Sequence, residues 1–255
     1  MKAIAVSDIH LGWGLEESEA FESFLDNVPD WNLDYLLILG DIFELWRRDI
    51  CGPLLEHSDI LSKLVALSKE TMLILLAGNH DWHFITMGHP EFYPYPFNFK
   101  EFFTIHMDGF YYSFKHGHQY DPQCKHDKQN ETLCHSSDEQ GEKMSSSWEN
   151  RGKAAIQMYS RPLKSGVSPT RPYIPMHMIS LLAYVQRPGL PSRVPSLLEV
   201  IRANARKDRR PNEYLVHGHT HAAHIEDMYC DTGCWVEGHT DYLLIEDDEV
   251  SLEVY

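Results

Sequence analysis

The stretch Lys2-Ala3-Ile4-Ala5-Val6-Ser7-Asp8-Ile9-His10 decides how the rest of the chain is read. Lys2–Val6 is a short apolar run that ends in Ser7-Asp8-Ile9-His10, the pattern of a buried strand emptying into a polar loop. Outward from it, strand and helix alternate. Glu16–Val28 places Ala20, Phe21, Phe24 and Leu25 on one face at helical spacing. Tyr35–Leu39 is a second apolar strand, stopped at Gly40-Asp41. Pro53–Glu70 is a second helix, carrying Leu54, Leu61, Leu64, Val65 and Leu67. Thr71–Ala77 is a third strand and ends at Gly78-Asn79-His80-Asp81. Strand–helix–strand–helix–strand implies parallel pairing with crossover helices, an α/β architecture.

Beyond this first third the pattern changes. Phe102–His106 and Phe110–His116 flank Met107-Asp108-Gly109, a hairpin signal. From about 119 to 211 the chain is polar and rich in Pro and Ser, with helices predicted near Ser147–Ser160, Pro175–Gln186 and Pro195–Lys207. Strands resume at Glu213–Val216 and are expected again near His224–Tyr229, Tyr242–Glu246 and Val250–Val254. The expectation is a single domain over residues 1–255: two facing sheets with outer helices, and a helical cap inserted at 119–211.

Composition bounds the function. The formal charge of −16 repels phosphate backbones, so sequence-independent nucleic-acid binding is disfavoured. Five cysteines (Cys51, Cys124, Cys134, Cys230, Cys234) form no CxxC pair, and an odd count suits a reducing compartment. With neither a signal peptide nor a spanning segment visible, a cytoplasmic location is expected. Cys124, His126, Cys134 and His135 imitate a zinc knuckle but match no common spacing. Arg202, Arg206, Lys207, Arg209 and Arg210 close a predicted helix, where cations complement the helix dipole; a phosphate-facing patch is the alternative.

The chemistry gathers at strand ends. Asp8-Ile9-His10, Gly40-Asp41, Gly78-Asn79-His80-Asp81, His116-Gly117-His118 and Gly218-His219-Thr220-His221 each follow an apolar strand. In open α/β sheets ligands gather beyond the carboxyl ends of strands, so these loops can converge. Carboxylate, amide and imidazole donors without thiolate suit hard or borderline divalent ions such as Mn, Fe(II), Co or Zn. Singly, each motif reads equally well as a turn; the ordered series of five does not.

That series resembles the calcineurin-like metallophosphoesterases, a family with an αββα sandwich of two mixed sheets and two adjacent metals. The resemblance implies that Asp8, His10 and His221 hold the first ion. Asp41 would bridge both, and Asn79, His116 and His219 would complete the second. The family pattern favours His116 over His118, which is read as solvent-facing, with contact to substrate as the alternative. His80 resembles the catalytic histidine, and Asp81 is placed to orient it. The implied cofactors are two divalent metal ions, Mn first, with Fe, Zn, Co or Mg as alternatives. The implied reaction is hydrolysis of a phosphate diester or monoester by a metal-bridging hydroxide.

The run Gly40-Asp41-Ile42-Phe43-Glu44-Leu45-Trp46 is also similar to UDP-diacylglucosamine pyrophosphatases. That branch usually has Arg after the ligand Asn, whereas this chain has His80, which can act as a general acid near neutral pH. The substrate expected is therefore a phosphorylated small molecule or amphiphile. A pyrophosphatase acting on a nucleotide-linked or lipid-precursor substrate is the alternative, and a nuclease or a non-catalytic metal-binding scaffold are further readings. The apolar run Met176–Val185 reads as a helix packed on the body, with an acyl-chain groove as the alternative; peripheral membrane contact stays open, and the sequence does not specify an oligomeric state.

Overall fold

Side-chain size alternates along β1 (Lys2–Val6), and the alternation sets up the layers. Ile4 and Val6 face one cluster of large side chains, while Ala3 and Ala5 face another. The computed structural model describes residues 2–13, 15–45, 50–86, 96–107, 109–122, 124, 196–247 and 249–255. The helices expected at Ser147–Ser160 and Pro175–Gln186, and nearly all of the 119–211 cap, lie outside these residues.

The described strands form two five-stranded mixed sheets. In the first, β1 pairs in parallel with β2 (Tyr35–Ile38), which pairs in parallel with β3 (Met72–Leu75). On its other side β1 pairs antiparallel with β9 (Asp241–Glu246), and β9 with β10 (Glu249–Val254). The second sheet runs β4 (Phe102–Met107), β5 (Phe110–Lys115), β6 (Glu213–His217), β8 (Tyr229–Asp231), β7 (His224–Glu226). Within it β5, β6 and β8 are parallel.

The sheets meet through Ala3, Ala5, Leu37, Leu39 and Ile74 on one side and Tyr112, Phe114, Val216 and Cys230 on the other. Helices α1 (Leu15–Asn27) and α3 (Ser58–Leu67) cover the far face of the first sheet with Phe21, Phe24, Leu25, Ile60, Leu64 and Leu67. Each fully buried large side chain contributes ~1.5–3 kcal/mol of transfer free energy. Two shorter helices, α2 (Cys51–Glu56) and α4 (His83–Thr86), precede α5 (Leu197–Asp208), which packs Ile201 and Ala205 against Leu215 and Tyr229 on the second sheet. A capping box starts α5: Ser196 Oγ accepts from Glu199 N (3.2 Å), and Glu199 Oε2 accepts from Ser196 N (2.7 Å). The result is the four-layer αββα sandwich.

Two elements differ from the sequence reading. The helix expected over Pro53–Glu70 is two, because His57 leaves helical backbone at φ −113°, ψ 30°. The strand expected over His224–Tyr229 is a hairpin of β7 and β8, turned at Asp227 with φ 53°. The short polar side chain of Asp tolerates the left-handed region, which alternation alone does not reveal. Among the described residues no helix is long and apolar enough to cross a membrane.

Candidate metal centre

The parallel strands β1, β2, β3, β5 and β6 all release their chains at one edge, and backbone hydrogen bonds lash the loops together there. Asp8 N donates to Gly40 O (3.1 Å), His10 N to Asp41 O (2.9 Å) and Gly218 N to His116 O (2.7 Å). The loops are tight enough to need unusual backbone. Asp8, His10, Asp41, His219 and His221 all have φ between 50° and 71°, a region that costs a non-glycine residue ~1–3 kcal/mol. Strain concentrated on five of seven expected metal ligands points to a site assembled for chemistry. Gly40 (φ 102°) sits where three loops crowd together: a Cβ there would lie 2.5 Å from Gly78 N and 2.8 Å from His116 Nδ1.

All nine expected site residues lie at this edge. Asp41 Oδ2 lies 3.3 Å from His116 Nε2, 3.8 Å from His10 Nε2 and 3.9 Å from His80 Nε2. His116 Nε2 is 3.0 Å from Asn79 Oδ1. Asp8 Oδ1 lies 3.2 Å from His221 Nε2 and 3.8 Å from His10 Nε2, and it is buried without an aligned hydrogen-bond donor. Among the described residues four triads bring their ligand atoms within 4.8 Å of one another: Asp8, His10 and His221; His10, Asp41 and His80; Asp41, His116 and His219; and Asp121, Cys124 and His219.

Does this donor set fit divalent ions? Ligands each ~2.0–2.2 Å from a shared cation stand roughly 3–4 Å apart, as these atoms do. Asp8 and Asp41 are both buried, and among the described residues no Lys or Arg pairs with either. Burial alone would raise both carboxyls. The imidazoles of His116 and His221 around Asp8, and of His116, His80 and His10 around Asp41, hold them below the usual carboxylate range instead. Against its own burial, the carboxylates of Asp41 and Asp8 drive His116 up to about 9. Hard oxygen and imidazole donors with an unsatisfied buried carboxylate oxygen suit Mn, Fe(II), Co or Zn.

The role expected of Asp81 is corrected. Its carboxylate accepts from the backbone N–H of Gly78 (2.7 Å), Ile42 (2.7 Å), Asp41 (3.3 Å) and Phe43 (3.4 Å), fastening two loops rather than touching the His80 ring. Consecutive loop residues send their side chains in different directions, and sequence adjacency misled. The carboxylate beside His80 belongs to Glu44: Oε1 accepts from His80 Nδ1 at 3.0 Å, while Oε2 lies 3.3 Å from His10 Nδ1. Glu44 is held by a parallel bridge between Leu11 and Phe43, with Glu44 N donating to Leu11 O (3.0 Å). A signal existed, since a carboxylate in the apolar run Ile42-Phe43-Glu44-Leu45 needs a partner if it is buried.

The histidines around Gly218 separate by environment. His217 is fully buried in β6, donating from Nδ1 to Gly218 O (2.8 Å) while Nε2 accepts from Tyr229 OH (2.8 Å). Burial pushes its pKa down to about 4, so the ring is neutral. His224 is half-buried, 3.4 Å from Glu226. Thr220 donates to buried Asp231 and accepts from Ala222 N (3.2 Å), which shapes the turn between His219 and His221. His118, expected to face solvent, is buried 5.4 Å from the His116 ring. Cys124 is disulfide-bonded and has no thiolate for a zinc knuckle; the other three residues of that reading lie outside the described residues.

Residues 1–223 match the calcineurin-like phosphoesterases. The chain belongs to that family. Over 84 residues it is 33% identical to a UDP-2,3-diacylglucosamine hydrolase of Shewanella oneidensis, covering 32% of this chain and 34% of that relative. Over 85 residues it is 36% identical to the enzyme of the same description from Psychromonas ingrahamii, again covering 32% and 34%. The match thus spans about a third of these curated relatives' length. A dimetal phosphatase from Danio rerio aligns over 100% of this chain and 95% of its own, with a TM-score of 0.47 at 10% identity. As a calcineurin-like phosphoesterase, the chain is of a metal-dependent hydrolase family, and its Asp/His clusters are the residues that could hold the metal.

Proposed function

We propose that this calcineurin-like phosphoesterase hydrolyses phosphate diesters or monoesters with two divalent ions, Mn in the first instance. The observation that carries the reading is Asp41: one carboxylate oxygen within 3.9 Å of imidazole nitrogens from three other loops, His10, His80 and His116. In this reading Asp8, His10, His221 and Asp41 hold one ion, and Asp41, Asn79, His116 and His219 the other. Bound there, the ions would neutralise charge on the phosphoryl oxygens and acidify the attacking water.

The chain's own residues handle the leaving group. Glu44 accepts a hydrogen bond from His80 Nδ1–H, so Nε2, on the Asp41 side, carries the mobile proton. An imidazolium held by a buried carboxylate can give that proton to the departing oxygen, which is worth ~10²–10⁴-fold in rate. The test is a panel of mono-, di- and pyrophosphates with Mn added, run on wild type and His80→Ala. The variant should lose most on alkoxide leaving groups and least on p-nitrophenol. Equal losses on both would remove His80 as the acid, and a metal-loaded protein inactive across the panel would remove the function.

The second reading, cleavage of a pyrophosphate bond in a nucleotide-linked amphiphile, is favoured by the local similarity to UDP-2,3-diacylglucosamine hydrolases. A preference for UDP-linked lipids over simple diesters in the same panel would select it.

A further inference from the structure

We propose that Asp121 is a positioning residue for the second ion, holding the His219 ring so that Nδ1 is the nitrogen presented to the metal. This rests on the reading of His219 as a ligand. Asp121 Oδ2 lies 3.1 Å from His219 Nε2, and the Asp121 side chain is 8% exposed. A nitrogen whose proton is donated to a carboxylate is not available as a ligand. That leaves Nδ1 for the group with Asp41 and His116.

Two other site histidines, His116 and His80, are held from the opposite nitrogen. His116 donates from Nδ1 to Leu39 O (2.9 Å) and turns Nε2 towards Asp41 (3.3 Å). His80 donates from Nδ1 to Glu44 Oε1 (3.0 Å) and turns Nε2 towards Asp41 (3.9 Å). In each case one nitrogen is occupied by a protein acceptor, which sets the tautomer and ring plane of the other. For His219 the acceptor is Asp121 and the assignment of the two nitrogens is reversed.

Asp121 is itself firmly placed. It follows a 3-10 turn over His118–Tyr120, in which Tyr120 N donates to Gly117 O (2.9 Å) and Asp121 N to His118 O (3.1 Å). Helix α5 clamps the turn through Asn204 Nδ2 to Tyr120 O (2.9 Å) and Tyr120 OH to Asp208 (2.9 Å). His219 is fixed from its own side, because its backbone N donates to Asp8 Oδ2 (2.8 Å). A separate cation site at Asp121 is not built. Cys124, the third residue near Asp121 and His219, is disulfide-bonded and offers no thiolate.

The experiment is calorimetric titration of Mn²⁺ into the full, metal-stripped chain, comparing wild type, Asp121→Ala, His219→Ala and the double variant. His219→Ala should weaken one of two binding events. Asp121→Ala should weaken the same event ~10–100-fold, the loss typical when the partner of a ligating histidine is removed. In the His219→Ala background, Asp121→Ala should add nothing, because it acts through that ring. Unchanged ion affinity in Asp121→Ala beside a weakened His219→Ala overturns the positioning role alone. A full additional loss in the double variant overturns it too, as a scaffold effect. Wild-type binding by His219→Ala fails the ligand reading beneath it. Should Asp121→Ala not fold, Asp121→Asn makes the same comparison. It keeps a neutral acceptor, so it should lose less affinity and should alter the ¹⁵N shifts of the His219 ring.

Discussion

Replacing Glu44 with Gln separates the two acidic residues around His80. The Glu44 carboxylate offers one oxygen to His80 Nδ1 at 3.0 Å and the other to His10 Nδ1 at 3.3 Å, at 1% exposure. A carboxamide has one acceptor oxygen, so in Glu44→Gln one imidazole N–H faces an NH₂ group and the ring must flip its tautomer or turn. Losing one hydrogen bond to a charged group costs ~1.5–3 kcal/mol, which is roughly 10–100-fold in rate if the bond is worth more in the transition state. We therefore expect kcat on an alkyl phosphodiester to fall ~10–100-fold with KM nearly constant, and the apparent affinity for one metal to weaken. Asp81→Asn should behave differently. Its NH₂ would meet backbone N–H groups of Gly78 or Ile42, so it should lower thermal stability rather than alter the leaving-group dependence. Steady-state kinetics with p-nitrophenol and alkoxide leaving groups, alongside thermal unfolding, distinguishes the pair. Glu44→Gln with wild-type kcat on alkoxides, or Asp81→Asn with selective loss on them, would refute the assignment.

Three further outcomes follow from the packing and the buried charge. Phe24→Ala should cost ~3–5 kcal/mol in chemical denaturation, since the buried ring packs on Trp235 (4.9 Å), Trp31 (5.2 Å) and Tyr255 (5.5 Å). Gly40→Ala should cost ~2–4 kcal/mol and abolish activity, whereas Gly109→Ala, also at positive φ but with open space around it, should cost only the strain. Asp231 is fully buried and its pKa is raised by that burial to about 8 from the ordinary 3.8. A raised carboxyl is protonated in both states below the unfolded value, so its contribution to stability is lost as pH climbs from ~4 to ~8, by up to ~1.4 kcal/mol per pH unit. Urea midpoints of metal-free Asp231→Asn should therefore gain on wild type as pH rises through that window, and parallel curves would refute the buried-acid account.

Strand ends were legible in the sequence because two signals coincide there: an apolar run stops, and a metal-type side chain follows at once. That is why Asp8, Asp41, Asn79, His116 and His219 could be named from spacing and family pattern before their loops were seen to meet. What spacing does not carry is direction. Asp81 sits next to His80 in the chain yet points back into the amides of its own and a neighbouring loop. Glu44 is thirty-six positions away in sequence and reaches the ring. The reason lies in the bridge between Leu11 and Phe43, which extends the β1–β2 pairing past the metal loops and swings the next residue inward. Asp121 was missed in the same way, since its value depends on α5 clamping a turn more than eighty residues earlier through Asn204. Groups that touch an ion are constrained in type, and type is visible in a sequence. Groups that aim such side chains are constrained only in place: any acceptor will serve, whether a carboxylate for His80 and His219 or a bare carbonyl for His116.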